Sequence, residues 1–215
     1  MKKIISAFVL LFLVQFTYAQ ELPFQDEVIT RAKEIDAAGW EKGAVVFTGS
    51  SSVRMWTNLQ EQFPDVDIIN SAFGGSQAHQ LLTHLDQTVL RYEPSKVFIY
   101  EGDNDINAGQ EVSAIMENLD ELVTRIHTKL PNTIVNLIAA KPSPSRWEKQ
   151  ESYLALNDLM RQYATTHDKV NFVNVWDIML DDNGKPRTDI FIADNLHMNE
   201  KGYALWKEIF TPFMK

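Results

Sequence analysis

Five short apolar runs rich in β-branched residues recur along this chain, and longer segments with helical spacing separate them. The runs are "AVVF" (44–47), "VDIIN" (66–70), "KVFIY" (96–100), "TIVNLIA" (133–139) and "VNFVNVW" (170–176). Runs of this length, bounded by turn residues, fit strands buried on both faces. Between them, "SQAHQLLTHLDQTVL" (76–90) places Leu81, Leu82, Leu85 and Val89 on one face of a helix. "EVSAIMENLDELVTRIHTKL" (111–130) lines up Val112, Ile115, Leu119, Leu122 and Ile126 in one stripe. "KQESYLALNDLMRQYATTH" (149–167) and "EKGYALWKEIF" (200–210) show the same spacing. Strands alternating with helices call for a parallel sheet with crossover helices on both faces. The expected fold is therefore α/β: a three-layer α/β/α sandwich with a flavodoxin-like, five-stranded parallel sheet.

Ahead of this pattern stands "MKKIISAFVLLFLVQFTYAQ", with two lysines, an apolar run from Ile4 to about Phe16, and Ala19 before Gln20. That is the layout of a secretory signal peptide. The apolar run is shorter than the roughly 20 residues that span a bilayer. Residues 1–19 are thus expected to be a signal peptide and residues 20–215 a single domain, with no stable membrane insertion after cleavage. The site of action would be periplasmic or fully secreted. Without Lys2 and Lys3 the chain carries 18 basic against 29 acidic residues, a formal charge of −11. Such an acidic chain lacks the basic surface that nucleic acid or an anionic membrane requires. It has no cysteine, which excludes disulfides and thiolate metal ligands, so stability must come from the packed core.

In an open parallel sheet the ligand site lies beyond the carboxyl ends of the strands. Four such ends read "TGSSS" (48–52), "SAFGGSQ" (71–77), "EGDND" (101–105) and "AKPSPSRW" (140–147). Three serines at a strand end can cap a helix, or one of them can be a nucleophile if a base and an orienting group reach it. "IADNLHMNEKGY" (192–203) supplies Asp194 and His197, which lie on one side if those residues make a helical turn. An imidazole held by a carboxylate is the base half of a serine triad. Asn104 follows the third strand and offers a neutral amide donor for an oxyanion. The glycines after the second strand permit close backbone approach. His79, His84, His127 and His167 sit in helical or polar segments and receive no role. "DDNGK" (181–185) reads as a turn, since it lacks the later glutamate of a calcium loop.

Serine, glycine, glycine-x-asparagine and Asp-x-x-His at successive strand ends resemble the SGNH hydrolases, also called the GDSL-type esterase/lipase superfamily. The resemblance spans about residues 44–205. Gly102-Asp103-Asn104-Asp105 matches the family's third block, Asp194-Asn195-Leu196-His197 its last, and Gly75 occupies the second. The first block usually reads Gly-Asp-Ser; here Gly49 is followed by Ser50 where the aspartate stands, which makes Ser51 the nucleophile. Val53 and Trp56 suit that register, because they place apolar residues on the turn behind Ser51.

The resemblance implies acyl transfer to water, with Ser51, His197 and Asp194 as the catalytic triad. The oxyanion hole would be formed by the Ser51 and Gly75 N–H groups and the Asn104 side chain, with no cofactor and no metal. Glu101, Asp103 and Asp105 are expected to fix the loop. From their place after the fourth strand, and apart from the resemblance, Arg146 and Trp147 would either line the cleft on the substrate side or form a solvent-facing rim. The implied substrates are short acyl esters, above all acetyl esters of carbohydrates or other small soluble molecules. A lysophospholipase or thioesterase-type lipid acylhydrolase is an alternative, and a non-catalytic carbohydrate-binding domain is another.

Overall fold

A computed structural model describes residues 22–214, and the expected signal peptide lies outside the described residues. Five strands form one sheet: β1 (Gly43–Gly49), β2 (Ile68–Asn70), β3 (Pro94–Tyr100), β4 (Ile134–Ile138) and β5 (Val170–Val173). All pairs are parallel and the order is β2-β1-β3-β4-β5, the expected flavodoxin-like arrangement. The helices are α1 (Gln25–Ala38), α2 (Ser51–Arg54), α3 (Leu59–Gln62), α4 (Ala78–Thr83), α5 (Leu85–Thr88), α6 (Asp103–Asn107), α7 (Val112–Lys129), α8 (Gln150–Thr166) and α9 (Glu200–Phe210). Among the described residues no helix is long and apolar enough to cross a membrane.

Alternate strand residues face opposite layers, as the pleat requires. Val46, Val97, Ile99, Val135 and Leu137 join Val28 of α1, Leu81 of α4, Ile115 and Leu119 of α7 and Leu156 of α8 in one core. Phe47, Phe98, Tyr100 and Ile138 join Val53 of α2, Leu59 of α3 and Trp206 and Phe210 of α9 in the other. The second core is aromatic: the Phe47 and Phe98 rings stack at 4.4 Å, and Trp56 packs on Tyr203, Trp206 and Phe210.

Two elements depart from the sequence expectation. The helix expected over 76–90 breaks at His84 into α4 and α5, followed by a 3-10 turn at Leu90–Tyr92. The His84 ring is buried and its Nε2 meets the Pro23 carbonyl oxygen at 2.6 Å, so a tertiary contact holds the residue where the helix would continue. Helix α1 was not anticipated, because Val28 is its one buried residue and its pattern is correspondingly faint. It flanks the edge strand β2, whose backbone is occupied by side chains. Arg31 Nε donates to the Asn70 carbonyl at 2.9 Å, and Ile68 N–H donates to Gln60 Oε1 at 3.0 Å.

Gly49 ends β1 opposite Tyr100 in β3, with φ +110°. A Cβ added there would lie 2.1 Å from the Tyr100 carbonyl oxygen, so neither the backbone angle nor the space admits a side chain. Gly49→Ala should lower the urea unfolding midpoint, with a loss of more than about 1 kcal/mol.

Candidate active site

The close approach of Gly49 to Tyr100 is what turns the chain into the serines. Ser50 N–H donates to the Tyr100 carbonyl at 3.0 Å, and the chain then winds into α2. Ser50 occupies the N-cap of α2, yet its side chain makes no capping bond. Behind the turn, Val53 and Trp56 are fully buried, and the Tyr203 hydroxyl donates to the Ser52 carbonyl at 3.0 Å. Ser50 and Ser52 are buried, while Ser51 at the tip is partly open.

Ser51 Oγ lies 2.9 Å from His197 Nε2, and His197 Nδ1 lies 2.6 Å from Asp194 Oδ2. The two residues do not meet on a helical turn as the three-residue spacing suggested. They sit in a loop ahead of α9 in which Asn195 adopts φ +55°. Asp194 Oδ1 accepts the Leu196 and His197 N–H groups, both at 2.9 Å, so the aspartate builds the turn with one oxygen and holds the ring with the other. Partial burial works against ionisation of Asp194, but the bonds from the His197 ring and the two backbone N–H groups prevail and bring its pKa down to about 2. The carboxylate is therefore charged at neutral pH and engages the ring at Nδ1, which turns Nε2 toward Ser51. The loop is fixed by Asn199, whose Nδ2 donates to the Asp189 and Phe191 carbonyls while its Oδ1 caps α9.

Asn104, in α6 just past β3, directs its amide toward the same place. One Nδ2 hydrogen reaches the Ser76 carbonyl and one the Ser50 hydroxyl, each at 2.9 Å. The Ser50 hydroxyl is thus spent on Asn104. Being a neutral acceptor, it holds that amide less strongly than an oxyanion would. Gly75 precedes Ser76 in an exposed turn with φ +75°, which suits glycine. Among the described residues, the Ser51 and Gly75 backbone N–H groups donate to no protein acceptor.

Behind Asn104 lies a buried charged cluster. Asp103 accepts from Arg146 Nη1 at 2.5 Å, from the Tyr100 hydroxyl at 2.8 Å, from the Tyr153 hydroxyl, and from Lys141 Nζ at 3.4 Å. Burial opposes ionisation of Asp103, but the Lys141 and Arg146 cations and the two hydroxyl donors lower its pKa to about 2. Asp103 thus holds its loop through side-chain partners, whereas Asp105 accepts from the Ala78 and Gly102 backbone N–H groups. Glu101 accepts from the Ser76 hydroxyl at 2.7 Å, and its other oxygen is buried without a partner.

Arg146 lies in the 3-10 turn Pro144–Lys149, which abuts the histidine loop through Ser145 N–H to the Asn195 carbonyl, 3.1 Å. Its guanidinium points inward to Asp103 and Asn104. Trp147 stacks on Trp176, with Lys185 over its ring and its indole N–H buried without an acceptor. Lys141, fully buried, was missed in the sequence; a lysine one residue past an apolar run next to a Pro-rich turn gave no cue. No group of three or more His, Asp or Glu side chains among the described residues is placed to hold a metal ion. A concavity of about 450 Å³ between α1 and β2, lined by Arg31, Trp56 and Ile69, has none of Ser51, His197 and Asp194 in its lining.

A serine, a histidine and an aspartate thus stand in hydrogen-bonded series beyond the strand ends of a parallel sheet. The family profile for the GDSL-like Lipase/Acylhydrolase family matches residues 37–205. The chain belongs to that family, and with it to the SGNH hydrolases, which are ester hydrolases. No curated protein matches it significantly. Solved structures share the fold. A Streptococcus pneumonia protein whose name links it to platelet activating factor superimposes with TM-score 0.78 at 24% identity, covering 89% of this chain and 92% of the other. A GDSL-like lipase from Bacteroides thetaiotaomicron gives TM-score 0.71 at 21% identity, covering 87% and 96%. A catalytic mutant of an acetylxylan esterase from Geobacillus stearothermophilus gives 0.65 at 12%, covering 81% and 95%.

The environment of Glu101 leads to a pH prediction. Burial, then the nearby Asp105 charge, push its carboxyl well above the usual range. The folded protein therefore keeps a proton that the unfolded chain releases above about pH 4.3, so stability falls as pH rises past that value. Glu101→Gln removes this linkage. Its melting temperature relative to wild type should rise between pH 4 and pH 8, as thermal unfolding across that range would show.

Proposed function

We propose that this protein is an exported serine esterase that removes short acyl groups, acetyl above all, from carbohydrates or other small soluble esters. The observation that carries the mechanism is the bonded series Ser51 Oγ–His197 Nε2–Asp194 at 2.9 and 2.6 Å. Ser51 attacks the ester carbonyl carbon as His197 Nε2 takes the hydroxyl proton, and Asp194 stabilises the imidazolium that forms. The oxyanion is held by the Ser51 and Gly75 N–H groups and by Asn104 Nδ2. Collapse of the tetrahedral species releases the alcohol, which carries off the proton from His197. A water then attacks the acyl-enzyme, again giving its proton to His197; the acid leaves and Ser51 recovers its hydrogen.

Several features support the choice of substrate. The acidic chain disfavours anionic partners. The same fold carries an acetylxylan esterase. The lysine-led apolar segment at residues 1–19 supports export. These uses of Ser51, His197, Asp194, Gly75 and Asn104 form one proposal and stand or fall together.

A fluorophosphonate probe should label Ser51, and Ser51→Ala should lower p-nitrophenyl acetate turnover by at least about 10³-fold. Labelling at Ser50 or Ser52 would refute the assignment. Asn104→Ala should cost roughly 10²- to 10³-fold in kcat. Acetyl esters should be cleaved faster than long-acyl esters and acetylated sugars should be accepted; a preference for long chains would favour the lipid acylhydrolase instead.

A further inference from the structure

We infer that Arg146 is a positioning residue for the reaction, one that sets the orientation and donor strength of the Asn104 amide without touching substrate. The inference rests on the reading of Asn104 as an oxyanion donor.

Arg146 Nη1 and Nη2 both lie 3.2 Å from Asn104 Oδ1, so the two arms of the fork close on one carbonyl oxygen. Nη1 also donates to the Asp103 carboxylate at 2.5 Å and to its backbone carbonyl at 3.1 Å. The guanidinium is thereby held in place, and its side chain is only 13% exposed. At the other end of the same amide, Nδ2 donates to the Ser76 carbonyl and to Ser50 Oγ.

Two consequences follow from the chemistry of a carboxamide. If the group flipped, its NH₂ would face a cation and its oxygen would face the Ser76 carbonyl, and both contacts would be repulsive. Arg146 and Ser76 thus lock the amide from opposite ends with its donor toward Ser51's side of the cleft. A cation on Oδ1 also draws electron density from the nitrogen, which strengthens the N–H groups as donors, the cooperative effect expected along a chain of hydrogen bonds. A guanidinium keeps its charge at every working pH, so this contribution does not titrate.

The Asp103 ion pairs behind the amide do not oppose the reaction. Asp103 brings one negative charge, and both Arg146 and Lys141 face it. The cluster behind Asn104 is therefore not a net anion that would repel a developing oxyanion. Arg146 is already engaged with Asp103 and Asn104 and is nearly buried, which leaves its fork poorly placed to meet a substrate directly.

The test is a double-mutant cycle on the full chain with p-nitrophenyl acetate. Arg146→Ala should lower kcat roughly ten- to a hundredfold, below the loss for deleting an oxyanion donor outright, with KM within about threefold of wild type. In the Asn104→Ala background the same change should cost less than about twofold, because the group it acts through is gone. Millimolar guanidinium chloride, far below denaturing levels, should restore part of kcat to Arg146→Ala and none to the double variant. In ¹⁵N-correlated NMR spectra the Asn104 side-chain NH₂ protons should move upfield in Arg146→Ala. Arg146→Gln keeps a donor but no charge; it should lose kcat to a similar degree and serves if the alanine variant does not fold. Full multiplication of the two losses, a raised KM with unchanged kcat, or an Arg146→Gln enzyme as fast as wild type would overturn the inference and leave the oxyanion reading standing. Wild-type turnover by Asn104→Ala would remove that reading, and the inference with it.

Discussion

Strands β1 and β3 run side by side to their last residues, and Gly49 meets Tyr100 so closely that no side chain fits between them. Both chains must turn at that point. One turns into Ser50–Ser52 and α2, the other into Glu101–Asp105 and α6, and the two turns are neighbours because the strands are. The Ser50 hydroxyl and the Asn104 amide touch as a result, although 54 positions separate them. A parallel sheet gives such adjacency without cost, since every strand delivers its carboxyl end to the same edge. Aromatic packing under α2, with Trp56 at its centre, keeps the serine turn from relaxing away from that edge.

Asp103 performs a related task for the other strand ends. Its partners come from β3 (Tyr100), from the loop after β4 (Lys141), from the 3-10 turn (Arg146) and from α8 (Tyr153). A buried carboxylate with so many donors is costly to disturb, because removal of one partner leaves charge without compensation in a poorly solvated place. The same carboxylate anchors the guanidinium that faces Asn104. The cluster therefore joins the stability of the cleft to the orientation of a group that faces it.

The parts of this arrangement legible in the sequence are those with a local signature. Buried strands show as β-branched runs, and amphipathic helices such as α7 and α8 show as stripes, so sheet and layers could be read directly. The serine turn, Asn104 and Asp194 with His197 were legible because each follows a strand end or precedes the last helix in a short motif, and the choice of Ser51 among three serines came from the resemblance to the SGNH hydrolases. The break at His84 was not, since a contact with the Pro23 carbonyl causes it and nothing in "LLTHLD" announces that contact. Helix α1 was hidden for the opposite reason: it buries too little apolar surface to leave a stripe. Arg146 illustrates a third case. Its position in the cleft-side turn could be read, but the direction of its side chain depends on Asp103, 43 residues away.

The Asp194–His197 loop divides the labour of the site unevenly. The acid, the ring and the backbone bonds that join them all lie within four consecutive residues, while Ser51 is 146 positions away. Acid and base therefore form a self-contained cartridge whose internal geometry needs no help from the sheet. What the rest of the fold supplies is placement: the Asn199 side chain and the bond from Ser145 N–H to the Asn195 carbonyl hold this pre-assembled pair at one distance from Ser51. Substitutions inside the four residues would thus alter the pair itself, whereas substitutions at Asn199 would alter only how far it stands from the serine.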